Sequence, residues 1–244
     1  MKQGIVKNGQ IDMKRKGKRY RKSAELVNKD KNYAVNDALE LLMQFPAVKF
    51  DETVNLCFHL NVNPKHADQI VRVTVVLPHG TGKKVKVIAF AQGEQAKAAQ
   101  EAGADYVGYK DLIEKIQGGW TDFDVVIASP DTMRELGKLG RVLGPKGLMP
   151  SPKAGTVTPQ IGKAVKEVKA GRIEFKVDKS GNLHMVAGKK SFGREKLIDN
   201  VSSAIGAVVQ ARPPVLKGSY LKNIVVSLSM SPGIKLDVTK IEKK

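Results

Sequence analysis

The chain is short of the residues that staple, titrate or anchor. A single cysteine, Cys57, excludes an internal disulfide, and its place in an apolar run reads as a buried, inert thiol. A reducing, cytosol-like compartment is the matching expectation. His59, His66, His79 and His184 are scattered without HxxxH or CxxC spacing, so no metal site is expected. No uninterrupted apolar run approaches the roughly 18 residues of a spanning helix, and no lipidation motif or signal-peptide core is present. Neither GxGxxG, GxxxxGK[ST] nor GxSxG occurs, which removes the usual nucleotide and serine-hydrolase signatures. Carboxylates are also scarce: 24 Asp and Glu face 42 Lys and Arg, a formal net charge of +18.

Such an excess of cations points to a polyanion, with nucleic acid the first choice and an anionic membrane surface the rival. The 244 residues, 41% of them hydrophobic, suffice for one or two cored domains. The most unusual stretch is Gly137 to Gly155, GKLGRVLGPKGLMPSPKAG, with five glycines, three prolines, four cations and no carboxylate. Its prolines and its apolar Leu139, Val142, Leu143, Leu148 and Met149 favour an ordered, cationic loop suited to phosphates. A long solvated connection is the bland alternative. A second basic run, Lys14 to Lys22 (KRKGKRYRK), lies in a polar segment of residues 1–30 that reads either as an RNA-embracing arm or as a solvated tail.

Periodicity predicts a helix over 34–45 with Ala38, Leu41, Leu42 and Phe45 on one face and Asn36 as its cap. A strand follows over 49–62, with Phe50, Val54, Leu56, Phe58, Leu60 and Val62 of one parity. Phe50, among Lys49, Asp51, Glu52 and Thr53, is either a core aromatic or part of an RNA platform. A strand over 70–77 ends at Pro78-His79-Gly80-Thr81-Gly82, a crossing between domains. Apolar strands at 85–90, 105–108 and 123–129 then alternate with helices at 94–102 and 111–116, the pattern of parallel βαβ units. A helix over 159–169 stops at Gly171. Residues 172–178 and 183–188 read as a hairpin, 192–210 as an amphipathic helix, 220–230 as a strand and 234–238 as a short extension. The expected fold is α/β in two domains. A discontinuous α+β domain (31–80 plus 171–244; split βαβ, antiparallel sheet with helices) carries an inserted parallel, Rossmann-like α/β domain (81–170) without a nucleotide motif.

The catalytic inventory is thin. The turn Ala91-Gln92-Gly93-Glu94 lacks the phosphate-binding glycines, Asp51-Glu52 and Asp122/Asp124 read as solvated strand ends, and Trp120 plugs a core. A binder without cofactor or metal is expected, rather than an enzyme; a nucleotide-binding α/β enzyme and a membrane-surface protein are the alternatives.

The run IASPDTMRELGKLGRVLGPKGLMPSPKAGTV (127–157) closely resembles the bacterial-type ribosomal protein L1 family of the large subunit. So do KFDETV (49–54), VVLPHGTGKKVKVIAFAQGEQAKAAQEAGADYVG (75–108), GGWTDFDVVIASPD (118–131), AGRIEFKVDKSGNLH (170–184) and KNIVVSLSMSPG (222–233). The resemblance implies a discontinuous domain that binds large-subunit (23S) rRNA in the mobile L1 stalk, with E-site tRNA and the protein's own mRNA as further partners. It implies a cytoplasmic or organellar ribosome as location, and no membrane. The family's RNA contacts fall on Lys49, Phe50, Glu52 and Thr53, and on Asn223, Ser227, Ser229, Met230, Ser231, Pro232 and Gly233. Lys138, Arg141, Lys146 and Lys153 are left as a secondary RNA or tRNA contact. Where the family usually has Thr-Met-Gly-Pro this chain has Ser229-Met230-Ser231-Pro232, and Asn223 stands at a common Ser.

The charge alone makes a prediction. If roughly six to ten phosphates are neutralised, affinity for RNA falls about 10³–10⁵-fold between about 50 and 200 mM salt. A filter-binding series across that range checks it, and salt-insensitive binding contradicts it.

Overall fold

The computed structural model describes residues 16–152, 155–216 and 218–238. In chain order these form α1 (Lys18–Glu25), α2 (Val35–Gln44), β1 (Thr53–Leu60), β2 (Arg72–Val76), β3 (Val87–Phe90), α3 (Glu94–Glu101), β4 (Tyr106–Gly108), α4 (Lys110–Gln117) and β5 (Val125–Ala128). Then come α5 (Met133–Leu136), α6 (Gly140–Leu143), α7 (Ile161–Lys169), β6 (Arg172–Lys176), β7 (Asn182–Lys189), α8 (Arg194–Gln210), β8 (Leu221–Leu228) and β9 (Ile234–Lys235). Two compact units result: the chain up to Val71 with Val177–Ile205 and the segment from Arg212 on, and Arg72–Lys176 with Gly206–Ala211.

The first unit is built on an antiparallel sheet in the order β7-β1-β8-β9. Strand β1 alternates: Val54, Leu56, Phe58 and Leu60 are buried, while Thr53, Asn55, Cys57 and His59 occupy the other, half-buried face. Period-2 patterning of this kind places one face in a core and leaves one wet. Helix α2 buries Ala38, Leu39 and Leu42. Leu39 takes the place expected for Leu41, and the helix begins after the extended Ala34, without the expected Asn36 cap. Helix α8 buries Leu197, Val201 and Ala204 together with one polar residue, Asn200. Each Leu or Val so buried contributes about 1.5–3 kcal/mol. Within residues 1–30, Lys18–Glu25 is helical.

The hairpin expected from 172–178 and 183–188 does not form. Its turn exists: the Asp178 carboxylate accepts the amides of Asn182 (2.7 Å) and Ser180 (2.8 Å), and these bonds, the Asn182 one foremost, hold the carboxyl below the usual range. Strand β7 nevertheless pairs with β1, and β6 pairs with β2 from Arg72↔Lys176 to Val76↔Arg172. Pairing of β2 with β6 also moves the division between units to Val71/Arg72 and Lys176/Val177, away from the expected 80 and 171. Gly171, expected as a helix stop, has φ +107°, and a Cβ there would lie 2.5 Å from the Gly80 Cα. Only glycine fits such an approach.

In the second unit β4, β3 and β5 are parallel. Ile88 and Phe90 of β3 pack with Leu112, Ile113 and Ile116 of α4 and with Leu136, Leu139 and Leu143. On the other side Val87 and Ala89 pack with Ala99, Ile161, Ala164, Val165 and Val168. Cover on both faces explains the nearly continuous apolar strand. The basic stretch from Gly137 is folded at its start rather than a loop throughout: Gly137–Leu139 is a 3₁₀ turn and α6 follows, with Leu139 and Leu143 as its buried anchors. Trp120 is half-buried, edge-on to Tyr106 at 4.9 Å and tilted against Phe123 at 5.5 Å.

Two carboxylates fasten the start of β3. Asp105 accepts the Val87 amide (2.9 Å), and Asp124 accepts the Lys86 amide (3.1 Å) and Lys83 Nζ (2.5 Å). Asp124 is therefore tied into the sheet, not merely a solvated strand end. The Val87 amide holds the Asp105 carboxyl below its usual range, and Lys83 does the same for Asp124. A carboxyl depressed on folding stabilises above its unfolded value of about 3.9, and that stabilisation disappears as pH falls through the lower folded value. Melting temperature should therefore fall less steeply with acidification below about pH 4 in Asp105→Asn than in the wild type, and parallel acid profiles would refute the assignment.

Candidate nucleic-acid interface

The register of β1 against β8 sets Val54 opposite Leu228, so the chain entering β1 meets the chain leaving β8. Thr53 donates its amide to Ser229 Oγ (3.1 Å), and Met230 donates its amide to Glu52 Oε1 (3.1 Å). Ser231 closes the turn on itself, its Oγ accepting the Leu228 amide (2.9 Å). Two segments about 175 residues apart in sequence are thereby joined at one sheet end.

A third segment arrives from β7. The β1–β7 register slips between Val54 and Asn55, where Ala187 is the extra residue of a bulge. Asn200 of α8, fully buried, donates to the Ala187 carbonyl at 2.7 Å and so satisfies a buried polar group. The bulge re-aims the last residues of β7, setting Lys189 opposite Thr53. Lys189 Nζ then reaches Thr53 Oγ1 (2.9 Å) and the Asp51 carbonyl (3.4 Å), the Lys190 amide bonds the Glu52 carbonyl (2.8 Å), and Ser191 Oγ bonds Asp51 Oδ2 (2.6 Å). Lys189, Lys190 and Ser191 were missed in the sequence. The available signal was a Lys-Lys-Ser run directly after a strand glycine. Arg19, whose guanidinium reaches the Met230 carbonyl, was missed as well, hidden in the basic run.

The expected contact residues are thus treated differently. Lys49, Phe50, Ser229, Met230 and Gly233 are exposed, with Phe50 at 53% and Met230 at 55%. Phe50 is therefore not a core aromatic. Two large apolar side chains are thus exposed at the sheet end where the hydroxyls of Thr53 and Ser229 meet. Thr53, Ser231 and Ser227 are half-buried, Ser227 facing Asn55 one pair along the ladder from Leu228. Glu52 and Pro232 are buried, so their side chains cannot offer a surface as expected. Gly233 has a structural reason of its own, since a Cβ there would lie 2.6 Å from Val225 Cγ1. Asn223 pairs with His59 near the opposite end of β1, about 17 Å from Leu228 at the strand rise, so the fold does not gather it with the rest.

In the second unit Lys138, Arg141 and Lys146 are exposed, and Lys146 Nζ donates to Thr121 Oγ1 at 2.5 Å. Lys153 lies outside the described residues. Burial raises the Cys57 thiol above its ordinary range, but the residue is half-buried rather than buried as expected, and its Sγ lies 3.2 Å from His184 Nδ1. Among the described residues no group of His, Cys, Asp and Glu could hold a metal ion, and no helix is long and apolar enough to cross a membrane.

Residues 42–232 match the profile of the "Ribosomal protein L1p/L10e family". Two curated relatives are each called "Large ribosomal subunit protein uL1". The one from Persephonella marina is 57% identical over 233 residues, covering 94% of this chain and 96% of its own. The one from Kosmotoga olearia is 53% identical over 229 residues, covering 94% of this chain and 99% of its own. Both names are those of ribosomal proteins rather than of enzymes, in line with the expectation of a binder.

Proposed function

The chain belongs to the ribosomal protein L1p/L10e family, and from that premise we propose that it is a constituent of the large ribosomal subunit that binds large-subunit rRNA through the sheet end joining Thr53 to Ser229. The carrying observation is this junction itself: the exposed Phe50 and Met230 stand on two segments locked together by the Thr53 and Met230 amides. The hydroxyls of Thr53, Ser229 and Ser231 suit ribose 2′-hydroxyls and phosphate oxygens, which proteins use to recognise folded RNA. Lys49 and Lys189 add attraction with little sequence preference. Asn223 takes no part in this central contact. Lys138, Arg141, Lys146 and Lys153 serve a secondary, mainly electrostatic contact with rRNA or with a departing E-site tRNA. Binding to the protein's own mRNA follows if that message displays the same RNA shape, and would repress its translation. The site of action on this reading is the cytoplasmic ribosome.

Thr53→Val removes a hydroxyl from the junction and should cost about 1 kcal/mol, roughly fivefold in affinity for a large-subunit rRNA fragment. Met230→Asp, which sets a like charge against phosphates, should cost more, and Lys138→Ala less than twofold. Filter binding at fixed salt measures all three; Thr53→Val and Met230→Asp both binding as the wild type does would refute the placement of the site.

A further inference from the structure

Glu52 sits at the centre of the proposed surface without being part of it. Its side chain is 0% exposed, yet it is a carboxylate at a place that should attract phosphates. Oε1 accepts the Met230 amide at 3.1 Å, while Oε2 is buried with no hydrogen-bond partner. From the other side α1 brings Arg19, whose guanidinium donates to the Met230 carbonyl and whose Nη1 lies 3.8 Å from Glu52 Oε1. Both polar groups of one peptide residue are thus held by two opposite charges, from segments that enter the site independently.

Helix α1 is fixed well enough to serve this purpose. Ser23, fully buried, bonds the Arg19 carbonyl at 3.2 Å, and the Asn28 amide bonds the Tyr33 hydroxyl at 3.0 Å. Tyr33 in turn exchanges backbone bonds with the segment after Gly233: its amide donates to the Lys235 carbonyl (2.9 Å) and its carbonyl accepts the Asp237 amide (2.9 Å). The segment carrying α1 therefore touches the Ser229–Gly233 turn at Met230 and grips the chain just beyond it. A buried charge with one partner removed is costly, so each member of the pair restrains the other. The pairing also cancels a negative charge that would otherwise repel the RNA backbone.

Resting on the rRNA reading above, we infer that Glu52 and Arg19 are positioning residues: they clamp Met230 and hold the Ser229–Gly233 turn in its binding shape before RNA arrives, touching no RNA atom themselves. The clamp gives α1 a function that its run of cations conceals. Preorganisation of this kind raises affinity by removing an ordering cost from the binding step.

Glu52→Ala, Glu52→Gln and Arg19→Gln in the full-length protein test this. In free protein, hydrogen exchange at the Met230 amide should accelerate at least tenfold in Glu52→Ala, and affinity for the rRNA fragment should fall about tenfold. Glu52→Gln keeps an acceptor for that amide and should recover at least half of each effect on a logarithmic scale. Arg19→Gln should weaken binding severalfold with the slope of log affinity against log salt unchanged. Three results would overturn the inference: equal losses in Glu52→Ala and Glu52→Gln, tighter binding on loss of the Glu52 charge, or a slope shallower by about 0.7–0.9 in Arg19→Gln, the mark of a lost phosphate contact. Met230 exchange in Glu52→Gln decides the matter even if Glu52→Ala folds poorly. Thr53→Val and Met230→Asp in the same series separate the two ideas: if both bind normally the rRNA reading fails, while exchange at the Met230 amide in the Glu52 variants still judges the clamp.

Discussion

The candidate site depends on one register. Strand β1 is the inner strand onto which β7 and β8 are both hydrogen-bonded, and Val54 faces Gly188 on one side and Leu228 on the other. A slip of one residue would turn Val54, Leu56, Phe58 and Leu60 out of the core, so the burial of these four side chains fixes the pairing. Once it is fixed, Thr53 has no freedom: it must lie beside Ser229 and beside Lys189. The hydrophobic core thereby assembles three polar segments that share no local sequence signal.

Charge plays a subordinate role within that geometry. The excess of 18 positive charges attracts any polyanion and makes binding salt-dependent, but it cannot say where binding occurs. The most conspicuous cationic stretch, from Gly137 on, spends its apolar residues Leu139 and Leu143 on the core of the second unit. The site instead mixes few cations with hydroxyls, an exposed phenylalanine and an exposed methionine. Its one buried carboxylate works on a backbone amide, so even the acidic member of the constellation is explained by shape.

Much of this was legible in order along the chain. The period-2 run of β1, the apolar run of β3 and the 3–4 spacing of Ile161, Val165 and Val168 each report burial directly, because burial acts on every second or every third to fourth residue. The resemblance of KFDETV and KNIVVSLSMSPG to the L1 family pointed to both halves of the candidate site. It pointed equally to Glu52, Pro232 and Asn223, which the fold buries or sets apart, since a linear motif does not state which side chains face outward. Arg19, Lys189 and Lys190 were illegible because ordinary surface lysines and arginines look the same in a sequence.

By itself the sequence determined the class of fold, the presence of two cores, the absence of metal and nucleotide motifs, and the attraction to a polyanion. All of these follow from composition and from the local periodicity of apolar residues. Tertiary structure alone decided that β6 leaves β7 for β2, that a bulge at Ala187 delivers Lys189 to Thr53, and that Arg19 and Glu52 close on Met230. The reason is physical: strands of equal amphipathicity are interchangeable partners until loop lengths and core packing select among them, and a contact between residues 19, 52 and 230 exists only once that selection has been made.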